Sequence, residues 1–101
     1  MKNRLLFNTR GNYVAFVSNG HIFSPQAKWI GFVRPGNEVY GKDGKHIGFI
    51  LDDDRVARNT MAIQKIPLIP PIPPIPPIPP IPPVPRLPKL PLPQPYKDVF
   101  E

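Results

Sequence analysis

Two histidines, His21 and His46, and one acidic run, Asp52-Asp53-Asp54, are the groups in this 101-residue chain best suited to hold a metal or move a proton near neutral pH. Consecutive carboxylates in a turn diverge, and the distant Glu of an EF-hand spacing is missing, so the acidic run reads as a solvated turn. The histidines fall at different positions of a sequence repeat, and symmetry does not bring them together. His46 aligns with Tyr13 and Trp29, which marks it as a packing or rim residue. Ser18 and Ser24 lack a Gly-x-Ser-x-Gly setting, and no glycine-rich loop leads into a helix. The chain has no cysteine, which excludes thiol catalysis, zinc–thiolate sites and iron–sulfur ligation. No catalytic residue, cofactor or metal ligand is expected, and the chain reads as non-enzymatic.

Tyr13, Trp29 and Tyr40, beside Lys28, Arg34 and Lys45, have the residue types of a stacking platform for single-stranded nucleic acid. The same aromatics sit at repeat positions where they pack a domain, and an RNP-type signature is missing. Weak nucleic-acid binding is therefore a secondary alternative. Residues 1–65 hold ten Lys/Arg against five Asp/Glu, which is +5 of the total +6. That mild excess favours anionic partners in general, but the basic residues are spread as on a solvated surface. The apolar run after Met1 is too short for a signal-peptide core, and no stretch approaches the ~20 apolar residues of a membrane span. A soluble cytoplasmic protein is expected, with attachment to a membrane surface through the basic head and an apolar stripe as the first alternative.

The elements that must position these side chains are repeats. Asn12-Tyr13-Val14-Ala15-Phe16-Val17, Lys28-Trp29-Ile30-Gly31-Phe32-Val33 and Lys45-His46-Ile47-Gly48-Phe49-Ile50 align. So do the shorter segments Leu5-Leu6-Phe7, His21-Ile22-Phe23, Glu38-Val39-Tyr40 and Arg55-Val56-Ala57. Each run is rich in Val, Ile and aromatics and is bounded by turn residues, with Asn19-Gly20 and Asp43-Gly44 tolerating the positive φ of tight hairpins. The pattern predicts an all-β fold: short antiparallel hairpins in a pseudo-four-fold arrangement. Ala15, Gly31 and Gly48 recur at one position, where small residues allow strands to converge on a symmetric centre. The fourth repeat has only its first strand, Arg55-Val56-Ala57, and Met61-Ala62-Ile63 is the expected second. The hairpin domain is expected over residues 1–63 and a proline-rich, low-complexity tail over residues 64–101.

The repeated Asn-x-Arg-Gly-x-Tyr-Val-Ala-Phe, Trp-Ile-Gly-Phe-Val and Val-Tyr-Gly-x-Asp-Gly-Lys-x-Ile-Gly-Phe resembles the bacterial four-fold β-flower family, over roughly residues 4–63. The resemblance implies a small pseudo-four-fold all-β head with a low-complexity proline-rich tail. It carries no established activity, so no functional residue transfers.

The tail concentrates most of the 18 prolines, and an apolar residue recurs at every third position: Ile66, Ile69, Ile72, Ile75, Ile78, Ile81, Val84, Leu87 and Leu90. Proline forbids helix and interior strand, leaving an extended polyproline II or disordered tail. Three residues per turn put the apolar side chains on one edge, and Ile69 to Leu90 are the expected partner-binding residues. At ~3.1 Å per residue, Ile66 to Leu90 makes a straight rod of about 75 Å, longer than the roughly 27 Å of a compact 60-residue head. Neither Arg86 nor Lys89 stands at the proline spacing that common SH3 signatures use, so an unnamed protein partner is expected, with self-association as a further option. Tyr96-Lys97-Asp98-Val99-Phe100-Glu101 breaks the low complexity and reads as a terminal docking peptide. The chain is thus expected to be a binding or assembly module.

Overall fold

β-branched and aromatic runs punctuated by turn residues form eight strands and no helix among the described residues, which are 3–61 and 65–100 of a computed structural model. The strands are β1 (Arg4–Phe7), β2 (Tyr13–Ser18), β3 (His21–Phe23), β4 (Trp29–Arg34), β5 (Glu38–Gly41), β6 (His46–Ile50), β7 (Val56–Asn59) and β8 (Tyr96–Asp98). They pair in chain order as one antiparallel sheet. The sheet curls back on itself. The Phe7 amide donates to the Asp54 carbonyl at 2.8 Å, Arg4 bonds the Leu51 carbonyl at 3.0 Å, and the Thr9 amide donates to the Asp98 carboxylate at 3.2 Å.

Two sets of turns result. At the β2–β3 and β4–β5 connections, Asn19-Gly20 and Gly36-Asn37 all have positive φ, the first as a two-residue hairpin and the second within the three-residue loop 35–37. At β1–β2, β3–β4 and β5–β6 the chain closes with the same bond three times. The amides of Gly11, Ala27 and Gly44 donate to the carbonyls of Asn8, Ser24 and Gly41 at 2.8–3.0 Å. All three donors have φ between 65° and 90°, so Ala27 carries a strained conformation that glycine bears freely in the other two turns.

One residue from each repeat forms the centre. Leu6, Ile22, Val39 and Val56 are at most 3% exposed and share one cluster. Leu6, Ile22 and Val39 stand opposite Ala15, Gly31 and Gly48 on the neighbouring strand. The small residues make room for backbone: a Cβ on Gly31 would run into the Tyr40 carbonyl, and one on Gly48 into the Ala57 carbonyl. Around this centre, aromatics stack across strands. Phe16 faces Phe23 and Phe32 faces Tyr40, with ring centroids 5.4 and 5.5 Å apart. The third such site pairs Phe49 with Ala57, and Tyr96 supplies the missing ring edge-on at 5.9 Å.

Tyr96 arrives there because the fourth hairpin closes at the far end of the chain. β7 pairs with β8, Asn59 opposite Tyr96, and Val99 and Phe100 just beyond β8 pack on the central cluster. Met61-Ala62-Ile63 is not the partner of β7: Met61 is 82% exposed, and Ala62 and Ile63 lie outside the described residues. The physical reason is room: β7 runs to Asn59, which leaves only Thr60 before Met61, fewer than the two residues a tight hairpin turn needs.

Candidate functional site

The proline-rich stretch therefore lies inside the fourth hairpin, as the connection between β7 and β8. Among the described residues it is bound to the head at six places. Lys65 pairs with Glu38 at 2.8 Å, and the Leu68 amide donates to the Gly44 carbonyl at 2.9 Å. Arg86 and Lys89 donate their amides to the carbonyls of Gly11 and Thr9 at 2.9 and 2.8 Å. Arg55 donates to the Leu90 carbonyl at 2.9 Å, and Thr60 bonds the Pro95 carbonyl through its hydroxyl at 2.7 Å. The path runs from the fourth repeat to the third, on to the first, and back to the fourth.

Length agrees with a circuit. The molecule measures 36 × 36 × 19 Å, too small for a straight 75 Å rod, so the stretch bends round the head. At ~3.1 Å per residue, residues 65–95 span about 95 Å, most of the about 110 Å circumference of a disc 36 Å wide. Burial of the turns tells the same story. Gly11, Ala27 and Gly44 are all buried, whereas Gly20 and Gly36 in the other turn set are exposed.

The amides that make these bonds explain where prolines are absent. In the Ile-Pro-Pro register the third residue of a triplet is Pro71, Pro74, Pro77, Pro80 and Pro83, but Leu68, Arg86, Lys89 and Leu92 at the two ends. Proline has no N–H to donate. Three of the four exceptions, Leu68, Arg86 and Lys89, are residues whose amides reach the head. Gly44 and Gly11 complete the fit, since a Cβ on either would meet the carbonyl of Leu68 or Arg86. Sequence reasoning missed these anchors, although the interruption of the triplet was there to read.

Exposure along the loop repeats every three residues. Leu68, Pro71, Pro74, Pro77, Pro80, Pro83 and Lys89 are half-buried and define the inward edge. The apolar stripe lies on another edge: Ile69, Ile72, Ile75, Ile78, Ile81, Val84, Leu87 and Leu90 are 84–92% exposed, and Ile66 is 85% exposed. The structure thus keeps the stripe residues together on the outside of the loop.

Asp53, Asp54 and His46 have polar partners, whereas His21, Tyr13 and Trp29 make ring contacts and leave the buried His21 Nδ1, Tyr13 hydroxyl and Trp29 Nε1 without a hydrogen bond. Asp53 pairs with Arg55, and Asp54 bridges Arg4 and Arg86. His46 bonds Glu38 and lies edge-on to Tyr40. His21 contacts Trp29 edge-on at 6.0 Å, and Tyr13 packs against Phe7. The described residues hold no group of three His, Asp or Glu side chains arranged to bind a metal. None of their helices is long and apolar enough to cross a membrane.

Burial opposes ionisation of Glu38 and Asp53, but hydrogen bonds from Lys65 and His46 to the first, and from Arg55 to the second, hold both below their ordinary values. Burial, aided by Arg34, lowers the pKa of His21 from 6.5. Both effects act in the same direction. A lowered histidine stabilises the fold only above the protonation range of the unfolded chain, and a lowered carboxylate contributes stability that is lost on protonation. The urea midpoint is expected to fall first as pH drops below about 6.5 and again below about 4.5. Midpoints measured between pH 8 and pH 3 check this, and a flat profile contradicts it.

A family model described as the 4-fold beta flower protein matches residues 4–99, through β8. The chain belongs to the 4-fold beta flower family. The four central side chains Leu6, Ile22, Val39 and Val56 are the axis of this flower, and the proline loop is part of its fourth petal. No curated protein and no solved structure matches the chain. The family description names no reaction.

Proposed function

We propose that this β-flower protein is a non-enzymatic binding or assembly module that presents its proline-loop stripe to a protein partner. The observation that carries the reading is the orientation of the loop. Its inward edge is anchored through backbone amides, so nine apolar side chains stay outside where they stabilise nothing within the chain. Solvent-exposed aliphatic residues in continuous register mark interaction surfaces. An extended proline-rich ligand also loses little conformational entropy on binding.

Burying one such side chain is worth roughly 1.5–3 kcal/mol. Replacing Ile72, Ile75, Ile78 and Ile81 together by Gln is expected to leave the melting temperature unchanged, because all four are at least 88% exposed. The same change should abolish retention of bound proteins in a pull-down with the full chain. An unchanged set of retained proteins would overturn the reading.

A further inference from the structure

The contacts around Arg86 differ in kind from those around Leu68. Leu68 is held through its backbone at Gly44. Arg86 adds side-chain recognition: its guanidinium carbon lies 3.9 Å from the centre of the Phe7 ring, and Nη1 pairs with the Asp54 carboxylate at 3.1 Å. Its amide donates to the Gly11 carbonyl, Lys89 does the same to Thr9 three residues later, and Arg55 closes the site on the Leu90 carbonyl. An aromatic face, a carboxylate and two carbonyl acceptors at the spacing of one polyproline turn are together a receptor for an arginine-bearing proline-rich strand.

We infer that the surface formed by Phe7, Thr9, Gly11, Asp54 and Arg55 is a peptide-recognition site, which residues 85–90 of the chain occupy in cis. Its ligand class is an extended segment of the type Pro-Arg-x-Pro-Lys. Three features make the occupant exchangeable. The ligand contributes no side chain to either apolar core cluster. Val84, Leu87 and Leu90 are 84–87% exposed, and the Arg86 side chain is 42% exposed. Release of the segment uncovers Phe7 and Gly11 and opens the bonds to Gly11, Thr9 and Arg55 while leaving β7 and β8 paired. Gly11 is required because the Arg86 carbonyl occupies the place of a Cβ. The tethered copy competes at an effective concentration in the millimolar range, which masks the site toward added ligand.

The test uses the full chain carrying R86A, and a synthetic peptide of residues 83–91. The peptide is expected to bind this variant at least tenfold more tightly than it binds the wild-type chain. The same peptide carrying R86A should bind the variant at least tenfold more weakly than the native peptide. Equal binding of the two peptides, or no binding to a folded variant at millimolar peptide, overturns the inference. Should the variant fail to fold, the full chain carrying R86K takes its place in the same two peptide titrations. Equal binding of the native peptide and its R86A form to that milder variant rejects the site.

Discussion

A chain ending at Pro95 is expected to lose cooperative unfolding altogether. Truncation removes β8, which leaves the hydrogen-bonding edge of β7 open. It also removes Tyr96 from Phe49, and Val99 and Phe100 from the central cluster. Val and Phe burial is worth roughly 1.5–3 kcal/mol each, and the lost strand bonds and open edge add to this. A domain this small has a net stability at or below the low end of about 5–15 kcal/mol. The six-residue deletion thus costs about as much as the fold possesses. A paired variant separates strand from loop: Asn59 and Tyr96 are register partners, so joining them through Asn-Gly keeps β8 while deleting the prolines. Thermal unfolding by circular dichroism should show no transition for the truncation and a clear one for the joined chain. A truncated chain melting within a few degrees of wild type would refute this role of β8.

Loss of a stacked aromatic is the next largest effect. Phe32 has no exposed surface and stacks on Tyr40 across β4 and β5 at 5.5 Å. Phe32→Ala is expected to destabilise by about 3–5 kcal/mol, the range for truncating a fully buried Phe. Phe49 occupies the equivalent place in the third repeat but is only half-buried, faces Ala57 and meets Tyr96 edge-on. Phe49→Ala is therefore expected to cost less than Phe32→Ala, by at least 1 kcal/mol. Urea midpoints for the two variants decide it, and equal costs would show that the repeats are energetically equivalent despite Ala57.

The repeats were legible because each hairpin carries its own chemistry. Asn19-Gly20 dictates a tight turn wherever it stands, and Ile22, Val39 and Val56 align as the same position without any knowledge of the centre they form. Gly31 and Gly48 could be recognised as sites of close approach, although the carbonyls that approach, from Tyr40 and Ala57, could not. The aromatic residues at Tyr13 and Trp29 were readable as packing for the same reason: they recur in register.

The fourth hairpin was not legible. Its two strands are separated by residues 60–95, and β pairing over that distance leaves no local signature. Lys97-Asp98-Val99-Phe100 resembles the earlier second strands only once Val99 is seen to stand where Ala15, Gly31 and Gly48 stand. The anchors had the same fate. Leu68, Arg86 and Lys89 look like interruptions of a proline repeat until Gly44, Gly11 and Thr9 are found beneath their amides.

The sequence by itself determined the hairpin repeats, their turns, the recurrent small-residue position and the period-three stripe, because each follows from local backbone preference and side-chain alternation. Tertiary structure alone decided that the prolines form a loop, that the loop bends round a disc, and which of its three edges faces outward. Those outcomes depend on hydrogen bonds between residues far apart in the chain. In an extended segment without internal hydrogen bonds, only such bonds select one orientation.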